Sequence, residues 1–512
     1  MINQMINLDY PDPDIIRVDN TYYMVSTTMH FMPGCEILRS NDLVNWEHAT
    51  YVYDKLDSTK GQTLTDDEGI YGKGMWAASL RYHKGLFYIC FVANDTHKTY
   101  LYTASDIYGT WKKSTIEGFY HDCSLLFDDD DRVYIVYGNK NIYLTELNSD
   151  LTAPKEGGIN RLIVSDKDNP MLGYEGAHFY KINGNYYVFF IHSLADKWRR
   201  VEACFMSKSI DGEFIGKDVF NDDMGYCGQG IAQGGIVDTP DGKWYSVMFQ
   251  DSGAVGRIPI IVPVTWENDF PVFGNNMAMP KGFRIESTPD NSKDLIPLIG
   301  SDNFKYKQED IDNNKKAYDS FGLKSMWQFN HEPDTGSFEL DTCNGEWIVK
   351  NQKICNRLTL ARNIITQRMT YPKCCAEVTV DASNLKNGDY AGLCILQYSY
   401  GFIALKKEDN KYSLVMLENI DKDNDAYEQV HESIEITDTK VNFKISADFE
   451  NMTDEACFYY KTASDREWHK LGITKKLSFS LKHFCGCRIG LVSYATKEMG
   501  GIAKFSDFRY EN

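Results

Sequence analysis

The chain has 512 residues, enough at about 100 to 200 residues per domain for two or three domains with full hydrophobic cores, so a single small domain is excluded. Hydrophobic residues at 43% and charged residues at 25% fit a folded globular protein and exclude a disordered or membrane-embedded chain. With 54 Lys and Arg against 73 Asp and Glu, the net charge of -19 is spread along the whole length, a surface that repels polyanions and excludes nucleic acid and anionic membranes as partners.

Met1 to Asp14 carries no basic stretch followed by an apolar run, and no later segment reaches the roughly 18 apolar residues of a membrane helix, which predicts a cytoplasmic protein. Five short segments then look alike: Asp19 to Val25, Lys84 to Ile89, Asp130 to Val136, Asn183 to Phe189 and Asp241 to Val247. Each is a polar or Gly turn followed by an aromatic-rich strand, the sequence form of a hairpin. Tyr23, Tyr88, Tyr134, Tyr187 and Tyr245 mark them, at a period of roughly 40 to 50 residues or somewhat more, the signature of propeller blades. Five units predict a five-bladed β-propeller over residues 1–300. A (β/α)8 barrel would need eight capped amphipathic helices in this stretch, and none is found.

The innermost strand of each blade lines the central axis, so the residues just ahead of each hairpin should converge on one pocket. A step of about ten residues back from each hairpin reaches Asp12, Trp76, Asp122, Glu175 and Gln233 in blades one to five. Three carboxylates, an indole and an amide at one end of the axis suit glycoside hydrolysis, in which one acid protonates the leaving oxygen and one carboxylate activates water or attacks the sugar. A third carboxylate nearby raises the pKa of the acid by like-charge repulsion. Trp76 offers a flat face for a sugar ring. Any one of these acids alone would read as a solvated loop carboxylate or a turn cap; recurrence at a common place in three blades argues against that.

From Glu286 to Gly322 the text becomes polar, with Asn291-Ser292-Lys293-Asp294 and a charged run from Lys307 to Lys316, so the connection is placed there. Beyond it, strand-like segments follow one another without the aromatic repeat: Glu346 to Val349, Arg357 to Ala361, Cys375 to Val380, Ala391 to Gln397, Phe402 to Lys406, Tyr412 to Leu417, Val441 to Ala447, Cys457 to Lys461, Arg488 to Tyr494 and Ala503 to Tyr510. They predict a β-sandwich of jelly-roll, concanavalin-like type over 318–512, an accessory domain in an all-β protein. The 13 cysteines are scattered without metal-binding spacings and read as buried free thiols.

The motifs also resemble family 43 glycoside hydrolases. Tyr10-Pro11-Asp12-Pro13-Asp14 with Tyr22-Tyr23, Ser26-Thr27-Thr28, Pro33-Gly34 and Ser40 to Trp46 is similar to that family's first blade. Trp76 to Tyr82, His121-Asp122-Cys123-Ser124-Leu125, Glu175-Gly176-Ala177-His178, and Gln233-Gly234-Gly235 with Gly256-Arg257 resemble the four that follow. The C-terminal region resembles the sandwich of the β-xylosidase and α-L-arabinofuranosidase members. The resemblance implies an inverting exo-glycosidase with Asp12 as general base, Glu175 as general acid, Asp122 orienting the acid and modulating its pKa, and Arg257 binding a sugar hydroxyl. Trp76 and Gln233 would also contact substrate. Phe31, with Met29, would form an apolar wall, and His178 either lines the sugar pocket or serves structure, as does His30. Two positions depart from the family: Cys123 stands where Pro is common, and Ala232 where a metal-site His is common, so no cofactor or metal is expected. Met29-His30-Phe31-Met32 replaces a stretch that carries an acid in the familiar xylosidases, which signals a shifted subsite preference. The expected partner is a small plant cell-wall oligosaccharide ending in xylose or arabinofuranose, with no nucleic acid or membrane, and with homo-oligomerisation left open. The alternatives are a noncatalytic sugar-binding propeller and an endo-acting arabinanase.

Overall fold

A computed structural model describes residues 5–285, 294–422 and 425–512. Asn291, Ser292 and Lys293, with the start of the expected connection at Glu286, lie outside the described residues. Residues 14–273 form five four-stranded antiparallel sheets, each built from consecutive strands. The turns between the first and second strands of each blade hold left-handed residues where the sequence has its polar punctuation: Asp19 (φ 55°), Gly85 (81°), Asp131 (65°), Gly184 (82°) and Gly242 (80°). The aromatic second strands then bury their rings between blades. Met24, Leu38, Val237 and Val247 join blades five and one; Leu80, Phe91, Val25 and Ile37 join one and two; Tyr134, Phe179, Val188 and Phe190 join three and four. Each such side chain stabilises the ring by about 1.5 to 3 kcal/mol.

A second set of contacts stitches the blades at the axis. Pairing within the blades puts Asp14, Ser79, Ser124, His178 and Gly235 at one shared register, opposite Val25, Cys90, Val136, Phe189 and Val247. Asp14 accepts the Leu80 amide at 2.7 Å, Ser79 Oγ accepts the Leu125 amide at 3.0 Å, and Ser124 Oγ accepts the Phe179 amide at 2.9 Å. His178 Nδ1 returns to Asp14 at 3.0 Å. The inner strands of blades one, two and three thus each cap a backbone N–H of the next, and the fourth blade reaches back to the first. Arg81 crosses the middle, 2.7 Å from Asp14 and bonded to Ser124 Oγ and to the carbonyls of Leu125 and Phe179.

The C-terminal part packs a seven-stranded sheet on an eight-stranded one, with Trp327, Trp347, Phe443, Leu491 and Phe505 in the core between them. Arg357 to Ala361 is not a strand: Leu358–Leu360 is a 3-10 turn whose two leucines are buried. The strands Phe338–Asp341, Ile365–Arg368 and Asp425–Ile436 were not anticipated, the last because its alternation mixes charged residues into both faces. The polar connection hides an anchor. Phe304 and Tyr306 belong to the sandwich core, and buried Asp302 accepts from Tyr306 Oη at 2.6 Å and Trp327 Nε1 at 3.0 Å. All 13 cysteines are free thiols, as read, but Cys227 and Cys343 are exposed. Among the described residues no helix is long and apolar enough to cross a membrane.

The two parts share a buried polar seam. Arg368 of the sandwich lies 2.8 Å from Glu36 and over the Tyr10 ring at 3.9 Å. Asp9 accepts two amides at once, from Arg257 of the propeller at 2.7 Å and from Gly486 of the sandwich at 2.8 Å. Burial pushes the Asp9 carboxyl up, and these two amides pull it back.

Candidate active site

Two residues ahead of the stitching register stand Asp12, Asp122, Gly176 and Gln233, all left-handed, with φ of 51°, 49°, 65° and 58°. In blades two, four and five the ladder breaks here, between Trp76 and Ser79, Glu175 and His178, and Ala232 and Gly235. A bulge of this kind turns the side chain beside it out of the sheet. The turned-out chains meet in one cavity at the mouth of the axis. Non-glycine residues seldom hold positive φ, and a recurrent cluster of them at a single pocket is the pattern of a functional site.

The prolines on both sides of Asp12 favour extended backbone, yet Asp12 is left-handed, held by the Pro11 carbonyl, which accepts Thr27 N–H at 3.1 Å and Ser26 Oγ at 2.6 Å. One expectation is corrected by this geometry. Glu175 does not share the register of Asp12 and Asp122. It precedes that position, level with Trp76 and His121, and its blade holds Gly176 in the turn, where a Cβ would meet the Gln233 side chain at 2.6 Å.

The cavity, about 190 Å³, is lined by Asp12, Trp76, His121, Asp122, Asn139, Glu175, Ile191, Arg200, Gln233, Phe249, Arg257 and Phe484. Both Asp12 oxygens accept bonds, from Thr27 Oγ1 at 2.7 Å and Arg257 Nη1 at 2.8 Å. Arg257 is clamped between the rings of Phe249 (4.7 Å) and Phe484 (4.5 Å). Glu175 accepts from the Asn139 amide. His121 Nε2 stands 3.6 Å from Asp122 and 3.9 Å from Glu175. Burial pushes Asp122 up to about 6, with His121 opposing and Glu175 and Asp12 adding repulsion. The Asp122 carboxylate in turn raises His121 to about 9, with help from Glu175, so the imidazole is a cation at neutral pH. Burial, reinforced by Arg257, pulls Arg200 down to about 9. Trp76 Nε1 and Arg200 Nε are buried without a protein partner, donors that a polyhydroxylated ligand would satisfy.

Six of the eight expected site residues, Asp12, Asp122, Glu175, Trp76, Gln233 and Arg257, therefore line one cavity. Phe31 and His178 do not. Phe31 is 1% exposed, packed into the seam with the sandwich under the Arg488 guanidinium at 3.6 Å, because the turn that carries it faces the second domain. His178 points the other way along its strand and is spent on Asp14. Sequence reasoning gave no site role to His121, Asn139, Arg200, Phe249 and Phe484. His121 had a signal, since it sits one residue before an acid of the repeat. Phe484 had none: it arrives from the loop ahead of strand Arg488–Ala495 and lies tilted against Trp76, ring centroids 5.3 Å apart, as a wall of the cavity.

His121, Asp122 and Glu175 bring donor atoms within 4.8 Å of one another, a spacing that could hold a metal ion. A cationic imidazole between two carboxyls already balances that charge, so the donor set fits an ion pair better than a metal, which requires neutral imidazole. Ala232 is fully buried against Ile191 and Phe249. A larger cleft, about 590 Å³, runs along Met206 to Lys217 and Phe270 on the outer edges of blades four and five; it holds one carboxylate, Glu213, and no convergent polar set. Two carboxyls facing a small cavity of buried donors are what hydrolysis of a glycosidic bond requires.

Comparison with known proteins agrees with this geometry. The profile of Glycosyl hydrolases family 43 matches residues 2–271, and that of the Beta xylosidase C-terminal Concanavalin A-like domain matches residues 315–511. A solved structure of a bifunctional GH43-CE protein of Bacteroides eggerthii superposes on the whole chain with a TM-score of 0.90 at 38% identity, and the chain spans 63% of its length. A GH43 glycoside hydrolase engineered to display both endo-xylanase and exo-arabinofuranosidase activity superposes at 0.86 with 27% identity, over 100% of this chain and 99% of its own. A beta-xylosidase of Formosa agariphila is 24% identical over 100% of this chain and 90% of its own length.

Proposed function

The chain belongs to glycosyl hydrolases family 43, and on that premise we propose that it is an inverting, exo-acting glycosidase releasing terminal β-D-xylosyl or α-L-arabinofuranosyl residues from plant cell-wall oligosaccharides. The observation that carries this reading is the cavity. Asp12 and Glu175 line one cavity of about 190 Å³, below the 300 to 1,000 Å³ of ordinary ligand clefts, and Phe484 of the sandwich forms part of its wall. A space of that size favours one terminal sugar over an internal stretch of polymer, and a pentose over a hexose with its extra hydroxymethyl.

Each residue then has a task. Glu175 delivers its proton to the departing oxygen while Asp12, fixed by Thr27 and Arg257, takes a proton from the water that attacks the anomeric carbon from the opposite face. One C–O bond breaks and one forms: the water's hydroxyl goes to the sugar, the leaving oxygen takes the Glu175 proton, and the proton collected by Asp12 passes to solvent as Glu175 is re-protonated from it, so one water is consumed per bond cleaved. Asp122 holds the acid's backbone: its carbonyl accepts the Ala177 amide at 3.2 Å, beside Glu175. Its charge and that of His121 flank Glu175 with a repelling and an attracting partner. Trp76 and Phe484 cover the sugar ring, and Arg200 and Gln233 meet its hydroxyls.

Proton NMR of early hydrolysis of xylo- and arabino-oligosaccharides tests the proposal. Release of single pentoses, first seen as the anomer opposite to the substrate's, is expected. Retained configuration would overturn the inverting assignment, and internal fragments as first products would overturn the exo assignment.

A further inference from the structure

The cavity accepts one sugar, and the rest of an oligosaccharide must leave across its rim. Rim residues on the acid's side are therefore placed to hold the departing part. The hairpin formed by Asn185–Ser193 and Arg200–Ser207 lies beside the Glu175 strand in the same sheet: Ile191 pairs with Glu175, and Ser193 pairs with Arg200 at the hairpin's end. Two strand residues beyond the acid's partner is about 7 Å, the scale of one sugar ring. The loop that closes this hairpin carries Trp198.

Trp198 is 54% exposed, the one exposed tryptophan among the described residues, which include all 9 in the chain. A scattered exposed apolar residue needs no explanation, but this one is positioned from both sides. Leu194 N–H donates to Arg199 O at 3.1 Å, and the Arg199 guanidinium reaches Asp223 at 3.6 Å, which ties the loop to the neighbouring segment. The guanidinium of Arg200, whose chain lines the cavity, lies 5.8 Å from the indole centroid and continues to Phe249 at 5.4 Å. A row of indole, guanidinium and phenyl thus runs from the exposed Trp198 to the cavity wall.

We propose that Trp198 is the stacking platform for the second sugar of the substrate, the one that departs with the oxygen protonated by Glu175; this rests on the exo-glycosidase reading above. The C–H face of a pentose ring would lie on the indole, and the two hydroxyls at its edge would be free to meet Arg200 and solvent. Specificity for oligosaccharide over a monosaccharide derivative would then come from blade four, whereas recognition of the terminal sugar comes from Trp76 and Phe484 on the facing wall.

The test compares Trp198→Ala and Trp198→Phe with the parent on a trisaccharide and on the matching glycosyl fluoride, whose leaving group is too small to reach the rim. For Trp198→Ala, kcat/KM on the trisaccharide should fall about three- to tenfold while the fluoride changes by less than about twofold, and Trp198→Phe should recover most of the loss. Equal losses on both substrates, or no loss on the trisaccharide, would overturn the platform. In a Glu175→Gln background, calorimetric affinity for the trisaccharide should fall by the same factor on adding Trp198→Ala, and an unchanged affinity would also overturn it. That titration keeps the two readings apart, since a parent that hydrolyses neither substrate refutes the activity while the binding result still decides the platform.

Discussion

Replacing Asp122 by Asn removes a buried carboxyl whose folded-state pKa, about 6, stands about two pH units above its ordinary 3.8. Below 3.8 the group is neutral in both states. Between 3.8 and 6 only the unfolded chain gives up the proton, so stability is lost as pH rises through that window, and the loss is complete above 6. At 1.36 kcal/mol per unit it amounts to about 3 kcal/mol. His121 works in the opposite sense. Its pKa is raised from 6.5 to about 9, chiefly by Asp122, and so it contributes stability that is full below 6.5 and gone above 9, again about 3 kcal/mol. Asp122→Asn removes the first contribution and the larger part of the second, because Asp122 is the main cause of the His121 shift and Glu175 supplies the rest. At pH 7 the two opposing contributions offset each other in the parent, so parent and variant should unfold close together, and above pH 9, where His121 is neutral and no longer opposes the Asp122 charge, the variant should be the more stable, despite its loss of activity. Urea unfolding followed by tryptophan fluorescence at pH 7 and 9.5 measures the gap. A gap that does not change with pH, or a variant that is the weaker at 9.5, would refute the coupling of His121 to Asp122.

Asp12→Asn should lower kcat by roughly 10²- to 10⁴-fold with KM little changed, whereas Asp14→Asn, which strands Arg81 at the axis, should act through stability, costing about 3 to 5 kcal/mol in unfolding experiments. Reversed effects would move the base to Asp14. Phe484→Ala removes the wall that the sandwich lends to the cavity and should lower kcat/KM by about tenfold or more, mainly through KM, as measured by initial rates. Chelator should leave activity intact, since His121 is held as a cation and Ala232 occupies the familiar metal-ligand position; loss under EDTA restored by calcium would contradict this.

The five hairpins were legible because each couples a turn that needs a left-handed residue to a strand that buries aromatics, and both signals lie within a few adjacent residues. The acids were legible through the same repeat, but only to within one position. Bulges at Trp76, Glu175 and Ala232 add a residue that spacing alone does not reveal, so Glu175 was placed level with Asp12 when it stands beside the turn that Gly176 makes. Asp12 itself shows how tertiary bonds override local preference: flanking prolines favour extended backbone, and bonds from Ser26, Thr27 and Arg257 hold it left-handed. Phe31 and His178 sit within recognisable motifs but on faces turned to the sandwich and to the axis. Phe484 and Arg200 come from segments with no repeat signal, and only the folded chain brings them to the acids.

Asp9 has a bearing on how such proteins can be recombined. One carboxylate grips the Arg257 amide from the propeller and the Gly486 amide from the sandwich, at and two residues beyond the positions from which Arg257 and Phe484 line the cavity. At Gly486 an added Cβ would lie 2.1 Å from the Val255 carbonyl. The second domain is thus not an interchangeable module. A chimera that joins this propeller to a relative's sandwich must carry the acid at 9 and the glycine at 486 as a matched pair, and grafts that keep each domain's core but mismatch this contact should fold as two sound halves with a misassembled pocket.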